Sequence, residues 1–169
     1  MQRARFELVG DVVGVTPNQV LNSVFVRRSR ERFGVPRGYV AAASPEKWLA
    51  PELIATEKAV MLFEGPHDAL RWEVRTRRKA VEVEKWVYDG PVDEETSPEP
   101  ESPSVGNPGE LFVILTLKRG AKTLLMHAGL EPKPGDVASV AVHGVESEAA
   151  HLALQRLGWS PQPDETEST

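Results

Sequence analysis

The chain contains no cysteine among its 169 residues. Disulfide bonds and zinc–thiolate sites are therefore excluded, and no thiol nucleophile is available for catalysis. Long apolar runs are also lacking, since no stretch approaches the about 20 residues that a membrane-spanning helix needs. The first ten residues, MQRARFELVG, contain neither a long apolar segment nor a small-residue cleavage site and so do not indicate a signal peptide. We therefore expect a soluble polypeptide.

An excess of basic charge is lacking as well. The formal net charge is −5, which corresponds to a sequence pI near 5.5. Nucleic acid is not expected as a main partner, because binding to phosphates requires a basic face. Hydrophobic residues at 40% and charged residues at 27% are ordinary for a globular protein. The length suits one medium domain or two small ones.

Catalytic motifs are not recognisable either. The sequence contains no G-x-S-x-G nucleophile elbow and no H-E-x-x-H zinc motif. None of the four histidines has a partner at the spacing of a metal site on one helix; they are His67, His127, His143 and His151. We therefore predict that the chain is not an enzyme and holds no metal.

What the sequence does contain is a clear strand pattern over Leu111–His143. Leu111–Leu117 is almost continuously apolar and rich in branched residues, which is typical of a strand buried on both faces. Gly120 can supply the positive φ of a hairpin turn before a second strand over Lys122–His127. A third strand is predicted over Val137–Val142.

A Pro-Gly-Asp turn introduces the third strand. Pro134 and Gly135 occupy the second and third positions of a type II turn, and Asp136 can hydrogen-bond backbone N–H groups. A helix is predicted over Glu146–Leu157, with five apolar side chains on one face. They are Ala149, Ala150, Ala153, Leu154 and Leu157.

The order of these elements resembles the TrkA-C domain, also called RCK-C. The order is strand, basic turn, strand, L-x-x-x-P-G-D, strand and helix. This domain is a regulatory module of bacterial potassium channels and cation/proton antiporters. The matching residues are Leu115–Gly120, Leu130, Pro134-Gly135-Asp136 and Val137–Val142. The resemblance implies a small α+β domain over residues 79–158. Its segment 89–109, rich in Pro, Glu, Ser and Gly, is predicted to be a disordered linker, and residues 159–169 a disordered tail.

The N-terminal region alternates strands and helices. Strands are predicted over Val9–Val15, Arg37–Ala43 and Ala59–Phe63, with helices beginning at Ser44 and Pro66 between and after them. This order indicates a parallel α/β layer. A further strand, Lys79–Tyr88, alternates as a half-buried strand does, with Val81, Val83, Trp86 and Tyr88 on packed faces.

The first helix of this region has clear boundary signals. Thr16 is predicted as its N-cap and Pro17 as its first residue, and Gly34 follows its end. An apolar stripe along the helix is predicted to pack on the sheet. It consists of Val20, Leu21, Val24 and Phe25.

Residues 1–78 resemble the second half of a TrkA-N nucleotide-binding fold. The matching residues are Val13–Thr16, Asn18, Asn22, Phe33-Gly34-Val35, Arg37 and Tyr39. The implied fold class is α/β, with a partial Rossmann-like parallel layer followed by the small α+β domain. No G-x-G-x-x-G phosphate loop follows a strand, so tight NAD binding to this chain alone is not expected.

Together the two resemblances imply the cytosolic C-terminal region of a prokaryotic sodium (or potassium)/proton antiporter. Such a module lies at the cytoplasmic face of the inner membrane, fused to or docked on a transmembrane antiporter domain. It acts as a homodimer that senses an ion or a nucleotide (NAD, ATP or a cyclic dinucleotide). Two alternatives remain open: a nucleotide-dependent small α/β enzyme fragment, and a free-standing regulatory subunit of a potassium transport system.

Six candidate ligand-binding residues follow. Thr16, Asn18 and Asn22 come after a strand, at the edge where α/β sheets bind ligands, although they equally suit a helix cap and turn. The other three are Arg119, His127 and His143. The two histidines are predicted on adjacent strands, where their charge could change near neutral pH.

Overall fold

The computed structural model describes residues 10–41, 59–63, 67–92 and 108–162. The chain divides into two compact units, one of Met1–Val74 with His127–Gly129 and one of Arg75–Met126 with Leu130–Thr169. The first contains a parallel three-stranded sheet and the second an antiparallel five-stranded sheet. The predicted mixed α/β fold class is therefore confirmed. The domain boundary predicted from the sequence lay four residues later, after residue 78.

The first unit is built on strands in the order β1-β2-β3, all parallel. Its elements are β1 (Asp11–Gly14), α1 (Gln19–Phe33), β2 (Arg37–Val40) and β3 (Val60–Met61). Because parallel strands run the same way, their carboxyl ends meet at one edge, which we call the carboxyl edge. The helix predicted to start at Ser44 lies outside the described residues.

Helix α1 ends as predicted but starts later. The Gly34 N–H donates to the Arg30 carbonyl at 3.0 Å and closes the last turn. The N-cap is Asn18, whose Oδ1 accepts from the Leu21 N–H at 3.0 Å. The prediction of Thr16 as N-cap and Pro17 as first helical residue is wrong, because the Thr16 hydroxyl instead hydrogen-bonds Asn22 at 2.6 Å.

The face that α1 turns to the sheet is mainly polar, with one apolar residue. Its buried residues are Gln19, Asn22, Val26 and Ser29. The predicted packing of the apolar stripe is wrong, since Val20, Leu21 and Phe25 are 58%, 55% and 51% exposed. Two strand glycines explain the choice of face, because the helix approaches the sheet at these points. A Cβ on Gly14 would lie 2.8 Å from Asn22 Cβ, and one on Gly38 would lie 2.3 Å from Val26 Cγ1.

The second unit is built on strands in the order β6-β5-β7-β4-β8, with every neighbouring pair antiparallel. The strands are β4 (Val81–Tyr88), β5 (Phe112–Arg119), β6 (Lys122–Leu125), β7 (Val137–His143) and β8 (Trp159–Pro161). Helix α2 (Ala69–Arg77) precedes them in the chain. The short helix α3 (Pro108–Leu111) precedes β5, and a 3₁₀ turn (Gly144–Glu146) leads from β7 into α4 (Ser147–Arg156).

The core of this unit lies between one sheet face and the helices α3 and α4. Its buried residues are Trp86, Leu111, Phe112, Ile114, Leu117, Met126, Ala138, Val140, Val142, Ala150, Leu154 and Trp159. The predicted burial of β5 is thus confirmed. Three predicted burials are wrong. Ala149 on α4 is exposed, Leu157 is 48% exposed beyond the end of α4, and Val83 is 63% exposed. Val83 lies three residues from the buried Trp86, and successive side chains of a strand point to opposite faces.

The end of the chain adds a strand that composition did not predict. Trp159–Pro161, placed by the sequence in a disordered tail, forms β8 and pairs with Trp86–Tyr88. The Trp159 ring is buried and lies 4.9 Å from the ring of Tyr88. Within the predicted linker, residues 93–107 lie outside the described residues, while its last two begin α3.

Candidate functional site

The two motif elements of the TrkA-C resemblance are joined by an ion pair. Arg119, at the end of β5, donates from Nε to Asp136 Oδ1 at 2.9 Å and from Nη2 to Oδ2 at 2.6 Å. Its Nη2 also donates to the Glu131 carbonyl at 2.9 Å. Asp136 is only 2% exposed. A bidentate pair of this kind fixes both distance and orientation, so it fastens the hairpin to the Pro-Gly-Asp turn.

The turn itself has the predicted geometry. Gly135 has a φ of 88°, and the Asp136 N–H donates to the Lys133 carbonyl at 2.9 Å, which is the closure of a type II turn. The Lys133 N–H donates to Asp136 Oδ2 at 2.9 Å, so the predicted hydrogen bond from backbone to Asp136 is confirmed. Tyr88 holds the turn against β4, since its carbonyl accepts from the Gly135 N–H at 2.8 Å.

Electrostatics favour the charged form of both partners. Hydrogen bonding from Arg119 holds the pKa of Asp136 below its ordinary value; desolvation opposes this shift, and the bond from Lys133 adds to it. The same hydrogen bond raises the pKa of Arg119. Arg119 is predicted from the sequence to bind a ligand. In the structure its guanidinium group is held in the ion pair with Asp136.

Thr16, Asn18 and Asn22 lie together just beyond the carboxyl end of β1. The Thr16 N–H donates to Asn22 Oδ1 at 3.0 Å, and Asn22 Nδ2 donates to the Thr16 carbonyl at 2.8 Å. Asn18 N–H lies 3.3 Å from Thr16 Oγ1. Asn22 is 1% exposed, so its polar atoms are used within the protein. These residues form the loop and helix cap that the sequence left open as the alternative.

His127 lies at the carboxyl edge beside aromatic side chains. Its backbone bridges Leu62 and Phe63, just beyond β3. Its ring centroid lies 5.7 Å from that of Tyr39. Its Nδ1 lies 3.0 Å from the Ala128 carbonyl oxygen, which accepts a hydrogen bond in the tautomer that carries the proton on Nδ1.

Phe63 itself has strained backbone geometry. Its φ is 65°, a left-handed value that is rare for a bulky residue. Its ring meets that of His67 edge-on, with centroids 5.4 Å apart. Phe63 and His67 carry no sequence motif. Only their place at the end of the third predicted strand and just after it indicates this edge. We call Tyr39, Phe63, His67 and His127 the ring cluster.

His143 lies elsewhere, at the end of β7. Its Nδ1 is 2.8 Å from Glu146 Oε2, and Arg75 Nη2 is 3.7 Å from the same oxygen. The prediction that His127 and His143 lie on adjacent strands is wrong. β5 separates β6 from β7, and His127 lies past the end of β6 and belongs to the first unit.

A second histidine–carboxylate contact has no counterpart among the predicted site residues. His151 Nε2 on α4 lies 3.0 Å from the Glu84 carboxylate, which also accepts from Trp86 Nε1–H at 2.9 Å. The rings of Trp86 and His151 are 5.2 Å apart. Strand alternation puts Glu84 and Trp86 on one face, but the contact with His151 spans 67 residues of chain and has no local signal.

Comparisons with family models, curated proteins and solved structures find no match. In the described part of the chain, no three His, Asp or Glu side chains are grouped to hold a metal ion. Among residues 10–41, 59–63, 67–92 and 108–162, no helix is long and apolar enough to span a membrane. The resemblance to the TrkA family remains a prediction.

Proposed function

We propose that this chain is the cytosolic regulatory module of a cation/proton antiporter, which senses a nucleotide or an ion and modulates monovalent cation transport. One observation carries the proposal. Arg119 and Asp136 belong to separate elements of the TrkA-C resemblance, and they form a bidentate ion pair. A chance match to two short motifs would have no reason to place their charged members in contact. The pair supports a scaffold in which hairpin and turn act together.

The effector binds, on this proposal, at the carboxyl edge of the first unit. Ligands of α/β sheets bind at the carboxyl ends of the strands. Three rings of the cluster are half-buried there and suit stacking against a nucleotide base, while the fourth, Tyr39, is buried behind His127. Hydrogen bonds between Thr16 and Asn22 close the loop that follows β1. On this proposal the loop positions the carboxyl end of β1 and does not contact the effector itself.

Regulation then requires two arrangements of the module with different effector affinity. The strained backbone of Phe63 is the place where such a difference can arise, because a left-handed aromatic residue costs about 1–3 kcal/mol that a bound ligand can offset. The transmembrane partner, fused or separate, transports cations at a rate that depends on which arrangement the module adopts.

A thermal-shift screen tests the effector site. The chain is heated with NAD, NADH, ATP, a cyclic dinucleotide, sodium or potassium, and one of these classes is expected to raise the Tm. His127→Ala, within the ring cluster, should abolish the rise, whereas the matched variant His143→Ala in the second unit should keep it. Failure of all these ligands to move the Tm, or turnover of a nicotinamide substrate, would count against the proposal.

The reading frame that encodes the chain tests the transporter link. A series of apolar segments of about 20 residues each, upstream of Met1, is expected for a fused antiporter. An adjacent, separate gene for such a membrane protein would support the docked form instead. A frame and neighbourhood with neither would contradict both.

A further inference from the structure

One side of helix α1 carries a line of exposed side chains that do not belong to the core. Leu21, Phe25, Arg28 and Arg32 follow one another at intervals of four, three and four residues, so they lie along one side of the helix. We call this line the α1 ridge. Leu21 and Phe25 are 55% and 51% exposed, and both arginines are exposed.

The ridge cannot be buried by a rotation of the helix. The neighbouring face of the helix is held close against the sheet, where Gly14 and Gly38 leave room only for Asn22 and Val26. Leu21 and Phe25 are four residues apart, so they are neighbours on the helix surface. Two large exposed apolar side chains side by side on a fixed helix indicate a binding face.

Charge on the same helix identifies what this face binds. Both charged members of the ridge are basic and exposed; they are Arg28 and Arg32. The ridge therefore presents two apolar side chains and then two guanidinium groups along one side of the helix. This arrangement is complementary to an anionic lipid surface. The apolar side chains enter the boundary between headgroups and acyl chains, and the planar guanidinium groups bind phosphate oxygens.

We propose that the α1 ridge docks the first unit on an anionic membrane surface, with Leu21 and Phe25 inserted and Arg28 and Arg32 on lipid phosphates. This docking is peripheral and reversible, and it requires neither the effector nor the transporter of the proposed function. A failure of the nucleotide screen would therefore leave it standing.

Vesicle sedimentation tests the proposal. The chain should sediment with vesicles of phosphatidylcholine and phosphatidylglycerol, less with phosphatidylcholine alone, and less as salt is raised. Phe25→Asp should lower the partition coefficient about tenfold, the effect expected for losing one inserted aromatic side chain. Arg28→Glu combined with Arg32→Glu should remove the preference for phosphatidylglycerol.

Matched variants on α4 show whether the effect on vesicle binding depends on where a substitution lies or only on the kind of side chain introduced. Leu152→Asp replaces a side chain that is 57% exposed, and Arg156→Glu reverses an exposed charge in the last turn. Both should partition as the unaltered chain does. The ridge variants should have the same Tm as the unaltered chain, since the altered side chains lie outside the core.

Three results would overturn the proposal. One is equal partition of the Phe25→Asp variant and the unaltered chain, and another is equal binding to charged and uncharged vesicles. The third is an absence of vesicle binding together with an oligomer, seen by light scattering, that Phe25→Asp dissociates. That result would assign the ridge to a protein interface.

Discussion

Asp136 is a buried carboxylate that accepts hydrogen bonds from two residues of the second unit. Its carboxylate accepts from Arg119 and from the Lys133 N–H while it is 2% exposed. Asp136→Asn keeps the shape but replaces one acceptor oxygen by a donor that faces the guanidinium. We expect the free energy of unfolding to fall by about 2 kcal/mol in urea titrations. Asp89→Asn, on an exposed side chain, is the control, and an equal loss in both variants would contradict the assignment.

The same carboxylate predicts a pH dependence of stability. Its pKa in the folded chain is lowered, chiefly by the hydrogen bond from Arg119. The unfolded chain, with a carboxyl pKa of about 4, therefore takes up the proton first as the pH falls. The contribution of Asp136 is thus complete at neutral pH and disappears as the pH falls through the folded-state pKa.

Urea titrations across this range measure the effect. The difference in unfolding free energy between the unaltered chain and Asp136→Asn should be constant from neutral pH to about pH 5 and should shrink below about pH 4. Lys133→Ala, which keeps the backbone donor, should follow the unaltered chain. A difference that grows on acidification would show that the carboxyl is protonated in the folded state.

At the scale of elements, the contact between α1 and β2 depends on Gly38. A methyl group there would lie 2.3 Å from Val26 Cγ1 and 3.2 Å from Arg30 Cδ, so the helix has to shift outward. We expect Gly38→Ala to lower the free energy of unfolding by about 2 kcal/mol, the usual cost of overpacking. Gly10→Ala is the control, since its methyl group would meet only Arg37 Nη2, at 3.8 Å. Equal stability of the two variants would contradict the close approach.

Elements with local signals are the ones that the sequence predicts well. The end of α1 at Gly34, the hairpin at Gly120 and the turn at Gly135 each need a left-handed residue, and glycine marks all three. The apolar run of β5 likewise indicates its own burial. The loop beside the candidate site also has a local signal, because Thr16, Asn18 and Asn22 are close in sequence and meet in space. Of the ring cluster, the sequence predicts only His127 as a site residue, because its rings come from distant parts of the chain.

Features that depend on distant partners could not be predicted from the sequence. The buried face of α1 is selected by glycines on the strands, which outweigh the apolar stripe. The pairing of His151 with Glu84, and of β8 with β4, joins residues far apart in the chain. His127 was predicted within a strand of the second sheet, yet it belongs to the first unit, because a backbone bridge to Leu62 places it there.

At the scale of the whole molecule, the proposed function carries the expectation of a homodimer. The second unit offers a surface for it on β4, where Val83 is 63% exposed. In the described part of the chain, β8 pairs with β4 only over Trp86–Tyr88, so the outer backbone edge around Val83 pairs with no other strand there. An exposed apolar side chain on an open strand edge is a site where another chain can add.

Light scattering over a range of concentrations tests the dimer. A mass of twice that of one chain is expected at high concentration, and Val83→Lys should weaken the association about tenfold, because a lysine on an edge opposes pairing. Phe25→Asp, on the α1 ridge, is the matched variant and should leave the mass unchanged, since membrane docking and dimerisation use different surfaces. A chain that stays monomeric at every concentration would remove the dimer from the proposed function, and with it any regulation that acts through a twofold arrangement of modules.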